Sequence, residues 1–85
     1  MRKKTSIKIQ AKLYATLAKY AGASIMYEPI EVEVPAGATL IDLYDRLGIP
    51  RDEVKTSFVN SVMQPPEYTL SEGDTVGIFP PVGGG

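Results

Sequence analysis

Cysteine, histidine and tryptophan are all missing from the 85 residues of this chain. Without cysteine there is no disulfide, no thiolate nucleophile and no zinc–thiolate site. Without histidine, neither a Ser-His-Asp nor a Cys-His catalytic set can form. A metal would have to be held by carboxylates alone, and the acids show no cluster with ligand spacing, so no metal site is expected. Long apolar runs are missing too, and the longest is far too short to cross a bilayer. Arg2-Lys3-Lys4 leads into alternating residues, not into the apolar block of a signal peptide. These absences predict a cytoplasmic chain with no membrane partner.

Charge of one sign is scarce at each end of the sequence. Arg2, Lys3, Lys4, Lys8, Lys12 and Lys19 precede any acid, whereas from Glu28 onward ten acids face only Arg46, Arg51 and Lys55. A basic end can mark a nucleic-acid contact, but aromatic interleaving is slight and the sequence pI is about 5.3. The lysines are therefore expected to guard a solvated strand edge against stray pairing. No nucleic-acid partner is expected.

The length suits one small domain, near the lower limit for an unaided apolar core. Ile7, Ile9, Ala11 and Leu13 alternate with Lys8, Gln10 and Lys12, which predicts a half-buried strand. Leu17 and Tyr20 fit one short helical turn closed by Gly22. Ile30, Val32 and Val34 alternate with Glu31 and Glu33 as a second strand. The clearest helix begins at Thr39, with Asp42 placed to complete a capping box. Leu40, Leu43, Tyr44 and Leu47 make its apolar face, and Gly48 and Pro50 end it. A short helical turn is expected over 50–54, a third strand from Phe58 to Met63 and a final strand from Thr75 to Phe79. Ser71-Glu72-Gly73-Asp74 reads as the turn before that last strand, and Leu70 as the residue pinning the preceding loop to the core. The fold class is α+β, a small mixed sheet covered by one main helix. Residues 1–80 are expected to form the domain and 81–85 a flexible Gly-rich tail.

Chemistry of its own is hard to find here. The acids lie on strand faces, helix faces and turns, where solvation explains them, and so short a chain leaves little volume for a pocket. Gly83-Gly84-Gly85 is no phosphate loop, because no helix N-terminus follows it. Glycine lacks a Cβ, so such a tail passes through gaps too narrow for other residues, with the carboxylate of Gly85 at its tip. The chain reads as something an enzyme acts upon.

The order Gly73-Asp74 turn, apolar strand, Phe79-Pro80-Pro81-Val82 and terminal Gly84-Gly85 resembles the MoaD/ThiS-type sulfur-carrier family, relatives of ubiquitin with a β-grasp fold. Val59-Asn60 and the segment from Leu13 to Gly22 look like further parts of that pattern. The likeness is closest to the small subunit of molybdopterin synthase. Ala18 and Lys19 depart from it, since many relatives carry an arginine after the leucine of this helix.

The resemblance implies that the chain binds no cofactor and is not itself an enzyme. A partner adenylyltransferase of the MoeB/ThiF type, related to E1 enzymes, would use ATP and Mg to adenylate the carboxylate of Gly85. Sulfur from a persulfide donor protein would then displace AMP, leaving a thiocarboxylate. The loaded tail would enter the large subunit of molybdopterin synthase and supply sulfur for the molybdenum or tungsten cofactor. Gly83 and Gly84 would thread the passage, and Phe79, Pro80, Pro81 and Val82 would meet the partner. Extended, Pro81 to Gly85 spans about 17 Å at about 3.4 Å per residue. Ile78 and Phe79 should face opposite sides of the strand, and Phe79 either packs on the partner or closes the end of the core. Tyr14, Phe58 and Met63 are expected to pack in the core or on the sheet surface and not to be site residues. Sulfur supply to thiamin, to tRNA or to another metabolite remains open, as does conjugation of Gly85 to lysines of other proteins. A β-grasp interaction module with an idle glycine end is the third reading.

Overall fold

Alternation along the first strand divides the molecule into two faces. The computed structural model describes residues 5–21 and 29–81. The basic residues Arg2, Lys3 and Lys4 and the expected tail residues Val82, Gly83, Gly84 and Gly85 lie outside them. Strand β1 (Ser6–Leu13) buries Ile7, Ile9, Ala11 and Leu13 and turns Lys8, Gln10 and Lys12 to the other side. β2 (Ile30–Pro35) does the same with Val32 and Val34 inside and Glu31 and Glu33 outside. Their antiparallel register sets Lys8 opposite Glu33 and Gln10 opposite Glu31. An opposite-charge pair in that position stabilises a sheet modestly.

Helix α1 (Leu40–Leu47) covers the buried face. Thr39 caps it: the Asp42 amide donates to Thr39 Oγ1, and the Thr39 amide donates to Asp42 Oδ2 at 2.9 Å. Leu40, Leu43 and Tyr44 are buried against the sheet, with Leu47 half-buried beside them. Gly48 ends the helix at φ 78, a left-handed conformation that costs other residues about 1–2 kcal/mol. The chain then makes a 3-10 turn at Arg51–Glu53 and enters β3 (Thr56–Val59). An earlier 3-10 helix, Ala15–Ala21, follows β1 and buries Leu17. The two short helices are tied together where Tyr20 Oη donates to Glu53 Oε1 at 3.0 Å.

The segment expected as one strand from Phe58 to Met63 is a hairpin. β3 ends at Val59, Asn60 and Ser61 take φ 52 and 74, and β4 (Val62–Gln64) returns antiparallel. Two successive left-handed residues reverse the chain in the sense that strand twist favours. β5 (Thr75–Phe79) then inserts between β1 and β3, parallel to the first and antiparallel to the second. The sheet order is β2-β1-β5-β3-β4. β1 is therefore an interior strand, so Lys8 and Lys12 do not guard an edge; they stand on the outer face of the sheet.

A polar lock fixes the entry to β5. Asp74 is buried, and its carboxylate accepts from Asn60 Nδ2 at 2.9 Å and from the Ser71 amide at 2.8 Å. Asn60 Oδ1 accepts in turn from the Thr75 amide, and the Gln10 amide donates to the Asp74 carbonyl. Leu70, buried beside this turn, holds the preceding loop to the core. Replacing Asp74 by Ala leaves the Asn60 side-chain amide and the Ser71 N–H without their acceptor. We expect Asp74→Ala to lower unfolding free energy by about 1–3 kcal/mol in urea titration. A change within about 0.5 kcal/mol would show that this lock is dispensable.

Candidate functional site

The outer face of the sheet is where β5 becomes a surface. Val76 and Ile78 point into the core and are fully buried, so Thr75, Gly77 and Phe79 point out. Phe79 thus faces away from Ile78, as expected, and lies outside the buried cluster, so it does not close the end of the core. Its ring stacks on Tyr14 at 4.3 Å between centroids and an interplanar angle of 3°. Phe58 meets Phe79 edge-on at 5.7 Å. Each such contact is worth about 0.5–1.5 kcal/mol beyond area burial.

Gly77 makes this cluster possible. Register aligns Lys12, Gly77, Phe58 and Met63 in one row across β1, β5, β3 and β4. A Cβ on Gly77 would lie 3.3 Å from Tyr14 Cε2 and 3.6 Å from Phe79 Cε1. With none there, the rings close over the strand and leave a hollow of about 390 Å³, bordered by Lys12 and Thr75 as well as the aromatics. Met63, 62% exposed, extends the apolar surface towards the sheet edge. The result is an aromatic platform with a lysine at its border, a surface that suits an apolar partner with acids at its rim.

The platform adjoins the point where the chain leaves the sheet. β5 is gripped on both sides near its end: on the β1 side the Tyr14 amide donates to the Ile78 carbonyl at 3.1 Å, and on the β3 side the Lys55 amide donates to the Phe79 carbonyl at 2.8 Å. Pro80 is half-buried and Pro81 is exposed. Of the expected site residues, Phe79, Pro80 and Pro81 therefore lie together at one end of the platform. Val82, Gly83, Gly84 and Gly85 fall outside the described residues.

Tyr14 and Phe58 pack on the sheet surface next to Phe79, one of the two placements expected, whereas Met63 stands exposed opposite Phe58. The sequence carries one signal for this, a glycine inside an apolar strand, which marks close approach of other groups. Nothing in the spacing joins Tyr14 to Phe79. Among the described residues, no group of three or more carboxylates is placed to hold a metal ion. No helix among them is long and apolar enough to cross a membrane.

A mixed five-stranded sheet with one main helix on one face, and a carboxyl-terminal strand at its centre, is the ubiquitin-like β-grasp architecture. A profile of the ThiS family matches residues 11–85, and the chain belongs to that family. It is a small ubiquitin-fold protein of the ThiS/MoaD type, a class of sulfur carriers and protein modifiers. A Pyrococcus furiosus protein assigned provisionally as molybdopterin converting factor subunit 1 is similar at 29% identity, over 89% of this chain and 99% of that one, with a TM-score of 0.67. Small archaeal modifier protein 1 of Haloferax volcanii is 27% identical over 92% of this chain and 99% of its own, with a TM-score of 0.68. The Haloferax volcanii HVO 2177 protein is 26% identical over 100% and 92%, with a TM-score of 0.71. No curated protein matches the chain by sequence.

Gly77→Val should force the Tyr14–Phe79 stack apart without emptying the core, since Val76 and Ile78 keep their positions. We expect a reduced aromatic signal in near-ultraviolet circular dichroism and a loss of about 1–2 kcal/mol of stability. An unchanged aromatic signal would mean that the rings do not depend on the missing Cβ.

Proposed function

We propose that this chain carries sulfur on the carboxylate of Gly85, and that the aromatic platform docks the enzymes that load and unload it. A bare carboxylate is a poor acyl electrophile. An E1-like adenylyltransferase of the MoeB/ThiF type supplies the remedy with ATP and Mg: a carboxylate oxygen attacks the α-phosphorus, pyrophosphate leaves and an acyl-adenylate forms. The terminal sulfur of a persulfide donor protein then attacks the carbonyl carbon and AMP leaves. Reductive cleavage of the resulting acyl disulfide by a thiol leaves the thiocarboxylate. The Gly85 carboxylate is the reacting group that this chain brings to the scheme, and the rest of the chain presents it.

The observation that carries this reading is the seating of β5. The strand that leads to the tail is held by β1 as far as Ile78 and by β3 as far as Phe79, so the exit has a fixed position beside the platform. The family match also runs through residue 85. Pro80 and Pro81 restrict the first two residues beyond the strand, which lowers the entropy lost when the tail is threaded. In this proposal Phe79, Pro80, Pro81 and Val82 contact the partner, while Gly83 and Gly84 occupy its narrowest passage.

We further propose that the acceptor is the pterin precursor of the molybdenum or tungsten cofactor, reached through the large subunit of molybdopterin synthase. Phe79-Pro80-Pro81-Val82 and the likeness to the Pyrococcus protein favour it. The likeness to small archaeal modifier protein 1 supports a second reading, in which Gly85 is joined to lysines of other proteins. Both begin with adenylation. A small-molecule product receiving labelled sulfur supports the first, and branched glycine remnants on target lysines support the second.

Two measurements test the carrier chemistry. ATP–pyrophosphate exchange by the cognate adenylyltransferase should require this chain and should vanish when Gly84 and Gly85 are deleted. Full exchange with the deleted chain refutes the proposal. Phe79→Ala should raise the KM for this chain by about tenfold, the equivalent of roughly 1.4 kcal/mol of lost docking energy. An unchanged KM with a lowered melting temperature would assign Phe79 to packing alone.

A further inference from the structure

The opposite side of the sheet holds a second hollow, which shares only the edge residue Met63 with the platform. It opens where α1 stops short of β3 and β4, with a volume of about 410 Å³, within the range of small-molecule sites. Its floor is polar although it lies in the core layer. Tyr44 of α1 and Ser57 of β3 are both about 2% exposed, and their hydroxyls pair at 2.5 Å. A strand position facing the core ordinarily holds an aliphatic residue, as Val59 does two residues on. Burial pushes the Tyr44 phenol up from its ordinary range, with the Ser57 bond and the positive charge of Arg51 pulling the other way. The phenol thus keeps its proton, and the pair owns two hydroxyl hydrogens while its internal bond uses one.

The lip of the hollow carries Arg51 and Lys55, and its walls are Val54, Pro65 and Pro66. Among the described residues that line it, none is acidic. Asp52 and Glu53 share the turn with Arg51 but do not line the hollow, and Glu53 is engaged by Tyr20. Two cations, a spare hydroxyl donor below them and flat proline and valine walls between are the components of a site for an anion attached to an apolar body. Both cationic side chains are exposed.

We propose that this hollow binds a small amphipathic anion, a carboxylate or phosphate monoester borne on a flat apolar ring. The anionic group meets Arg51 and Lys55 and accepts from the Tyr44–Ser57 pair, while the ring lies against Pro65, Pro66 and Val54. The inference uses nothing from the tail or the platform and stands or falls separately from the carrier reading. Binding is weak by design of the site, because exposed cations are screened by water and salt.

Titration of the isotopically labelled full chain with phenyl phosphate and with benzoate, followed by amide NMR, tests it. We expect saturable shifts at Lys55, Thr56, Ser57 and Gln64, weakening as sodium chloride is raised. Benzamide lacks the charge and inorganic phosphate lacks the ring, so each should bind at least about fivefold more weakly than its counterpart. The double variant Arg51→Gln, Lys55→Gln should keep a folded spectrum and lose at least about tenfold in affinity for phenyl phosphate. Equal binding of benzamide, equal binding of inorganic phosphate or full affinity in the double variant overturns the proposal. So do shifts centred on Lys8 and Lys12, or the absence of any saturable shift. Should the double variant unfold, the salt series and the two control ligands on the native chain still decide.

Discussion

The pairing of β5 with β1 on one side and β3 on the other is the constraint from which the rest of this domain follows. It joins residues far apart in the chain, Gln10 to Thr75 and Leu13 to Ile78, so the sheet has no centre until the last strand arrives. Loop-closure entropy opposes so distant a contact, and local interactions must offset it. The Asp74 carboxylate does part of this by holding Ser71 and Asn60 in place, which sets the depth at which β5 enters. Val76 and Ile78 do the remainder by burying completely beneath α1.

From that seating the two faces acquire different tasks. Alternation along β5 commits Val76 and Ile78 to the core, so Gly77 and Phe79 must be presented outside. The helix face is consumed by folding. The outer face is free to carry a ring cluster that contributes little to the core and borders the point of chain exit. Under the proposed function, a reactive group without a side chain needs its identity read elsewhere, and a stiff aromatic surface at a fixed distance from the exit is a physically economical place for it. The hollow under Arg51 and Lys55 arises for the reverse reason: α1 is only eight residues long and leaves the β3–β4 end of the inner face uncovered.

Much of this was legible in the chain because local rules and the global fold agree. Thr39 with Asp42, the Leu40-Leu43-Tyr44 face and Gly48 specify α1 at both ends without reference to anything distant. The alternation in β1 and β2 sorts their side chains correctly. What periodicity does not encode is neighbour order, so the lysines of β1 were assigned to an edge when β5 in fact flanks them. Asn60-Ser61 does not announce a turn by residue type, since serine seldom accepts φ near 74, and here Asn60 is held by Asp74, a partner fourteen positions away. The Tyr14–Phe79 stack was illegible for the same reason. It is created by a parallel register between the first and last strands.

Strand direction has one more consequence, and it is mechanical. Tension applied to the residues beyond Phe79 acts along the axis of β5, parallel to the strand that holds it. The ladder bonds to β1 and β3 are then loaded sideways and together, not peeled one after another as they would be at a hairpin end. A handle attached that way resists being drawn out, and under the proposed function a cleft that grips the tail could release it with the domain intact.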